Sequence, residues 1–353
     1  MAKDRVSSSP DAALLERMVG TPVQSVQQLS GGHNNSVYLV RCGSGKQYVA
    51  KVYAKSLPGS TDRMQTEVNG LKFLTSNGVD RVARPVGVDT DQRCAVYQYL
   101  DGQKIDSSQA LPADVDQAVE FMAQLKELSG LEESSEQPSA SDACFSINET
   151  FATIAQRLAR FEALDLSSPQ RQELSEYLRD EFRPALAEIL AWCQHTVDQS
   201  EIDFDRLLDP HQLTLSPSDF GFHNALRRPN GEIVFLDFEY FGWDDPAKMV
   251  ADFLLHPAMD LSEKLKHRFF QRAVSVFADR PWFPVRTGII YPPSGLKWCL
   301  IILNEFLPEY ISRRESASPG QLDLAAVQSR QLAKSRLLLQ KMNSEFQNFP
   351  YAN

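Results

Sequence analysis

The stretch from Leu215 to Phe253, LSPSDFGFHNALRRPNGEIVFLDFEYFGWDDPAKMVADF, constrains the fold more than any other part of the chain. Its centre reads as a β-hairpin. Asn224-Ala225-Leu226 runs into the turn Arg228-Pro229-Asn230-Gly231, and the apolar run Ile233-Val234-Phe235-Leu236 follows. Pro presets φ in such a turn and Gly tolerates positive φ, while β-branched and aromatic residues favour the flanking strands. Antiparallel pairing would carry Asp237, at a strand end, beside the loop that Asp219 and Asn224 bracket. Kinase-type phosphoryl transfer uses such a set: one Asp to accept a hydroxyl proton, an Asn and a second Asp to hold magnesium.

This stretch resembles the catalytic loop and metal-binding segment of the aminoglycoside phosphotransferase-like and choline kinase-like small-molecule kinases. Their loop runs His-Gly-Asp, four residues, then Asn, and the metal Asp opens an Asp-x-Asp or Asp-x-Glu about a dozen residues later. Asp219 and Asn224 match the loop; Asp237-Phe238-Glu239 matches the metal segment. Pro217 stands where the family carries His, and Gly221-Phe222 replaces the usual His-Pro. The proton acceptor and metal ligands are kept, but the loop's usual supporting bonds are not.

The resemblance implies an α+β chain with the two-lobed protein kinase-like fold, a small N-terminal antiparallel-sheet lobe and a larger, mainly helical C-terminal lobe. Residues 1–20 would form a tail and short helix, 21–100 the N-lobe and 101–353 the C-lobe. The implied cofactors are ATP, or GTP, and Mg2+. Asp219 would be the catalytic base, with Asn224 and Asp237 holding the metal.

Upstream residues fit the same frame. Strands are expected over Val23–Leu29, Val37–Val40 and Gln47–Tyr53, with Gly31 and Gly32 in the first connection. Paired glycines let backbone amides approach closely, as a loop over nucleotide phosphates must, with Asn35 and Ser36 at its far end. Lys51 sits mid-strand in VAKVY, and Glu67 lies sixteen residues on in a helix expected over Asp62–Thr75. A strand Lys that grips phosphates while a helix Glu orients it is the kinase arrangement; the plain alternative is a surface Lys and a solvated Glu. By resemblance, Ala95–Gly102 is the hinge between lobes, with Tyr97 behind the base and backbone groups near Gln98 and Leu100 on the adenine edge.

The acceptor is less legible. Glu239, Trp243 and Asp244 are the candidate substrate contacts, by charge and cation–π contact to a cationic ligand or by stacking on a sugar. Glu239 reads foremost as a group behind the metal ligands. Asp252 reads equally as a buttress for the catalytic loop or as a surface residue. His223 reads as a loop-stabilising side chain, since Asp219 already fills the role of base. Residues 131–142, acidic and poor in apolar side chains, read as a mobile loop. Two long helices, Ile147–Leu164 and Pro169–Val197, the second broken or kinked near Phe182-Arg183 by Pro184, and helices over Leu261–Phe277, Leu296–Tyr310 and Ala325–Asn343 complete the C-terminal part.

Whole-chain properties narrow the function classes. At 353 residues the chain exceeds an ordinary single core. A net charge of −10 argues against nucleic acid and anionic membrane as partners and is compatible with a cationic or polyhydroxylated substrate. Five scattered cysteines without a Cys-x-x-Cys pair read as reduced thiols in a cytoplasmic protein. The expected partners are therefore nucleotide and a small hydroxylated molecule, the chain acting as monomer or homodimer. The acceptor is a sugar, an amino alcohol or an aminoglycoside-like compound. The alternative is a pseudokinase that binds nucleotide or a partner without catalysis.

Overall fold

The computed structural model describes residues 9–29, 35–54, 61–311 and 323–352. They divide into two compact units. The first comprises residues 1–105, 131–141 and 217–242; the second comprises 106–130, 142–216 and 243–353.

The first unit is built on a five-stranded antiparallel sheet: β1 (Val23–Leu29), β2 (Asn35–Cys42), β3 (Gln47–Tyr53), β4 (Pro85–Asp89) and β5 (Cys94–Gln98), in the order β1-β2-β3-β5-β4. Strand periodicity gives the sheet two distinct faces. Tyr38, Val40, Ala50, Cys94 and Val96 bury one face against Leu14 and Leu15 of helix α1 (Ala12–Val19). Alternation then turns Lys51, Tyr53, Ala95 and Tyr97 to the other face. Helix α2 (Arg63–Ser76) lies against β4 and β5. Asp62 caps it, accepting from the amides of Met64 and Gln65. Met64, Glu67, Val68, Leu71 and Leu74 form its buried stripe, so a carboxylate sits among apolar side chains.

The hairpin forms as its turn chemistry predicts. Ala225–Arg227 pairs with Ile233–Phe235, Gly231 adopts φ of 85°, and its amide donates to the Arg228 carbonyl at 2.9 Å. Strand β6 (Gln103–Lys104) adds to the outer side of Ala225–Arg227. The segment after the hairpin packs its aromatic rings inward. Gly70 of α2 admits the Phe241 ring so closely that a Cβ there would stand 2.6 Å from it. That contact explains a glycine in a helix interior. Residues 131–142 are not the mobile loop expected. They hold a 3-10 turn at Glu132–Glu136 with Ser134 and Ala140 buried, and the Ser141 amide donates to the Tyr240 carbonyl at 3.1 Å. Backbone pairing, invisible to composition, orders them.

The second unit is helical: α3 (Pro112–Leu128), α4 (Ile147–Glu162), α5 (Pro169–Tyr177), α6 (Arg183–Asp198), α7 (Pro246–Leu255), α8 (Glu263–Val276), α9 (Phe283–Ile302) and a C-terminal helix Leu324–Glu345. A π-helical turn, Leu178–Phe182, joins α5 to α6 where the kink was expected. Helix α9 begins thirteen residues before the expected Leu296 and runs through Pro292 and Pro293. Those prolines lack the amides that would close the ladder. The Cys193 thiol, 3.6 Å from the Ile289 carbonyl, occupies one position so freed. Helices α4, α6, α7 and Leu324–Glu345 pack around α9. No helix among the described residues is long and apolar enough to cross a membrane.

Candidate active site

Lys51 is the centre of the site. Its ammonium is 2.7 Å from Glu67 Oε2, 2.6 Å from Asp237 Oδ1 and 3.6 Å from Glu239 Oε2. Burial by itself would depress this ammonium, but the carboxylates of Glu67, Asp237 and Glu239 outweigh it and hold the group charged well above the ordinary lysine range. The Lys51–Glu67 pair expected from the sequence is thus formed in a buried setting, not on a solvated surface.

Glu67 is held from both ends of its carboxylate. Tyr53 donates its phenol to Oε2 at 2.6 Å, and the Phe238 amide donates to Oε1 at 3.3 Å. The second bond ties α2 to the residue immediately after Asp237. Asp237 itself takes φ of 65°, a left-handed conformation that costs free energy for a non-glycine residue. Its carboxylate, 40% exposed, faces Lys51. Burial raises the Tyr53 and Tyr97 phenols well above the usual range, and neighbouring Glu67 adds to the effect.

Asp219, His223 and Asn224 connect to this cluster through the hairpin. The Leu236 amide donates to the Asn224 carbonyl at 2.8 Å, which sets Asn224 beside the strand end that carries Asp237. The Asn224 amide group in turn donates to Asp219 Oδ2 at 3.0 Å and to the Asp219 carbonyl at 3.1 Å. His223 Nε2 lies 2.9 Å from Asp219 Oδ1. With Pro217 in place of a loop His, support comes from elsewhere: His223 and Asn224 hold the two Asp219 oxygens, and the Ser218 hydroxyl donates to the Ser141 carbonyl at 2.9 Å. Ser218 also stands at φ of 66°, so backbone strain flanks Asp219 as it does Asp237.

Asn35, at the start of β2, donates to Glu239 in a very short contact. Glu239 is 3% exposed, lies 3.7 Å from Arg63 Nη1, and belongs with Glu67 and Asp237 to a carboxylate group close enough to share a cation. Ser36 pairs with Val52 across the β2–β3 ladder. Gly31 and Gly32 lie outside the described residues. Tyr97, expected behind a base, turns its hydroxyl to that of Tyr53, 2.7 Å away. The Gln98 amide donates to the Arg84 carbonyl at 2.8 Å, and Leu100 is buried.

In the second unit one expectation, for Asp244, needs correction, and one of the two open readings of Asp252 is ruled out. Asp244 offers no open carboxylate to a substrate, because it is fully buried and bonded to Lys248 at 2.6 Å. Asp252 is no surface residue. It is 5% exposed and binds Lys297 at 3.0 Å, Lys248 at 3.2 Å and the Trp298 indole at 2.8 Å. Trp243, next to Asp244, is half-buried.

Several solved structures share this architecture across nearly the whole chain. Spectinomycin phosphotransferase APH(9)-Ia matches with a TM-score of 0.62 at 11% identity, covering 94% of this chain and 97% of that one. Choline kinase LicA from Streptococcus pneumoniae matches at 0.59 and 16% identity, over 93% and 98%. A Plasmodium vivax ethanolamine kinase matches at 0.58 and 14% identity, over 90% and 84%. At such identities the likeness establishes the fold, the protein kinase-like one expected from the sequence. No curated protein sequence matches the chain. The sequence pattern of the phosphotransferase enzyme family, APH, matches residues 25–282. That span is well over half of the chain and takes in both the Lys51–Glu67 pair and the hairpin with Asp219, Asn224 and Asp237; the protein is a phosphotransferase of the APH family.

Proposed function

We propose that the chain is a kinase that transfers the terminal phosphate of ATP, or GTP, to a hydroxyl of a small sugar, amino alcohol or aminoglycoside-like molecule. The observation that carries this reading is the continuous bonded path Glu67–Lys51–Asp237, joined through Leu236 to Asn224 and Asp219. In the proposed reaction the acceptor oxygen bonds to the terminal phosphorus, the bridging bond to the nucleoside diphosphate breaks, and the acceptor proton passes to Asp219.

Each group has a stated task. Lys51, fixed by Glu67, holds phosphates that are not transferred. Asp219, with each oxygen held by a neighbour and its side chain 31% exposed, accepts the hydroxyl proton. Asn224 and Asp237 fit a magnesium ion: one offers a neutral amide oxygen, the other a partly exposed carboxylate, and both are hard donors of the kind that ion prefers. A magnesium ion held by Asn224 and Asp237 would supply positive charge to offset that of the phosphates. Glu239 is too buried for a sugar contact and serves instead to anchor Asn35 at the start of β2. The acceptor class is supported by the likeness to solved structures of an ethanolamine kinase, a choline kinase and a spectinomycin phosphotransferase.

The test is magnesium-dependent nucleotide consumption against a panel of sugars, amino alcohols and aminoglycosides. Turnover stimulated by one class supports the reading and names the acceptor. Tight nucleotide binding with no turnover on any acceptor favours a pseudokinase.

A further inference from the structure

A buried line of hydrogen bonds ends on Glu67, and the proposed reaction makes no use of its outer members. The hydroxyls of Tyr97 and Tyr53 are 2.7 Å apart, and Tyr53 Oη is 2.6 Å from Glu67 Oε2, the oxygen that also receives Lys51. The tyrosines are only 4% and 3% exposed.

The proton inventory fixes the direction of the line. A phenol has one proton, and a carboxylate paired with an ammonium only accepts. Tyr53 therefore spends its proton on Glu67, and Tyr97 must donate to the Tyr53 oxygen. Strand register builds the arrangement. Tyr53 follows Lys51 by two positions and shares its face. Ala95 lies opposite Lys51 and Tyr97 opposite Val49. From that face the Tyr53 hydroxyl reaches Glu67 of α2 at 2.6 Å. Phenylalanine would fill either position with nearly the same volume, so packing does not account for two hydroxyls at this depth.

We infer that Tyr53 and Tyr97 are positioning residues for nucleotide binding. They hold the Glu67 carboxylate in one rotamer, and Glu67 in turn aims Lys51 and, through the Phe238 amide, steadies the metal segment that starts at Asp237. This rests on the kinase reading above.

The experiment is a calorimetric titration of magnesium with a non-hydrolysable ATP analogue into the full chain. The variants are wild type, Tyr53→Phe, Tyr97→Phe, Glu67→Ala and the pairwise combinations. Tyr53→Phe weakens binding about tenfold, the usual scale for losing a buried bond to a charged group, and Tyr97→Phe about threefold. In the Glu67→Ala background Tyr53→Phe changes affinity less than about twofold, because the group it positions is gone. Should Glu67→Ala fail to fold, the two tyrosines decide the matter alone: Tyr97→Phe adds nothing to Tyr53→Phe. Equal losses in every background, or no loss in Tyr53→Phe, overturn the inference and leave the kinase reading standing. A wild-type chain that binds no nucleotide overturns both.

Discussion

Lys51 and Asp237 are 186 positions apart in the sequence, yet their side chains meet at 2.6 Å. The pair joins a sheet strand to the end of a hairpin. With Glu67 and Glu239 nearby, one ammonium offsets the charge of several carboxylates.

Removing that ammonium should therefore cost stability as well as nucleotide affinity. Lys51→Met leaves Glu67, Asp237 and Glu239 facing one another. Loss of one partner of a buried ion pair costs about 3–5 kcal/mol, and the 40% exposure of Asp237 places this case at about 3. Urea denaturation measures it, and a midpoint equal to wild type would contradict the charge-balance argument.

Glycine substitutions separate rigid from yielding contacts. A Cβ on Gly242 would stand 2.2 Å from the Pro138 carbonyl oxygen and 2.7 Å from the Ala140 nitrogen, both backbone atoms. A Cβ on Gly295 would meet Met342 Sδ at 2.0 Å, an atom of a flexible side chain and not of the backbone. Gly242→Ala should destabilise by about 3 kcal/mol and Gly295→Ala by about 1, within the usual range for overpacking. Chemical denaturation of the two variants should give that order; the reverse order would mean that the 131–141 segment yields.

A loss of stability on raising the pH should trace to Asp244. Burial pushes its carboxyl up to about 6 even though Lys248 acts in the opposite direction. Unfolded, it titrates near 3.8. The folded state therefore binds more protons between these values, and the group's stabilising contribution, complete below about pH 4, is lost as pH rises through about 6. Asp244→Asn should remove that decline. Unfolding free energies of wild type and variant across this interval should converge or cross instead of running parallel.

The parts of the site that were legible in the sequence are those whose residue types conflict with their local setting. A lysine inside an apolar strand, a glutamate on the buried stripe of a helix, and an Asp at a strand end all announce a partner elsewhere. Turn chemistry likewise made the hairpin readable, because Pro229, Asn230 and Gly231 leave few alternatives. Tyr53 and Tyr97 gave no such signal, since tyrosine is at home in any strand and its hydroxyl partner depends on which face looks to α2. Helix α9 was hidden by Pro292 and Pro293, whose cost is offset by packing on several sides. Asp244 read as an open substrate contact and Asp252 stayed undecided because the lysines that neutralise them, Lys248 and Lys297, come from helix turns that periodicity reads as polar surface.

The central claim is that Asp219 handles a proton while Lys51 and its partners hold the nucleotide. The most direct test measures nucleotide affinity and acceptor-stimulated turnover side by side in Asp219→Asn. Asparagine keeps the shape and can still bond to Asn224, but it cannot take the hydroxyl proton. Turnover should fall by at least about a hundredfold, the lower scale for general-base catalysis, with nucleotide affinity within about threefold of wild type. Turnover retained in the variant, or lost only in step with affinity, would contradict that claim.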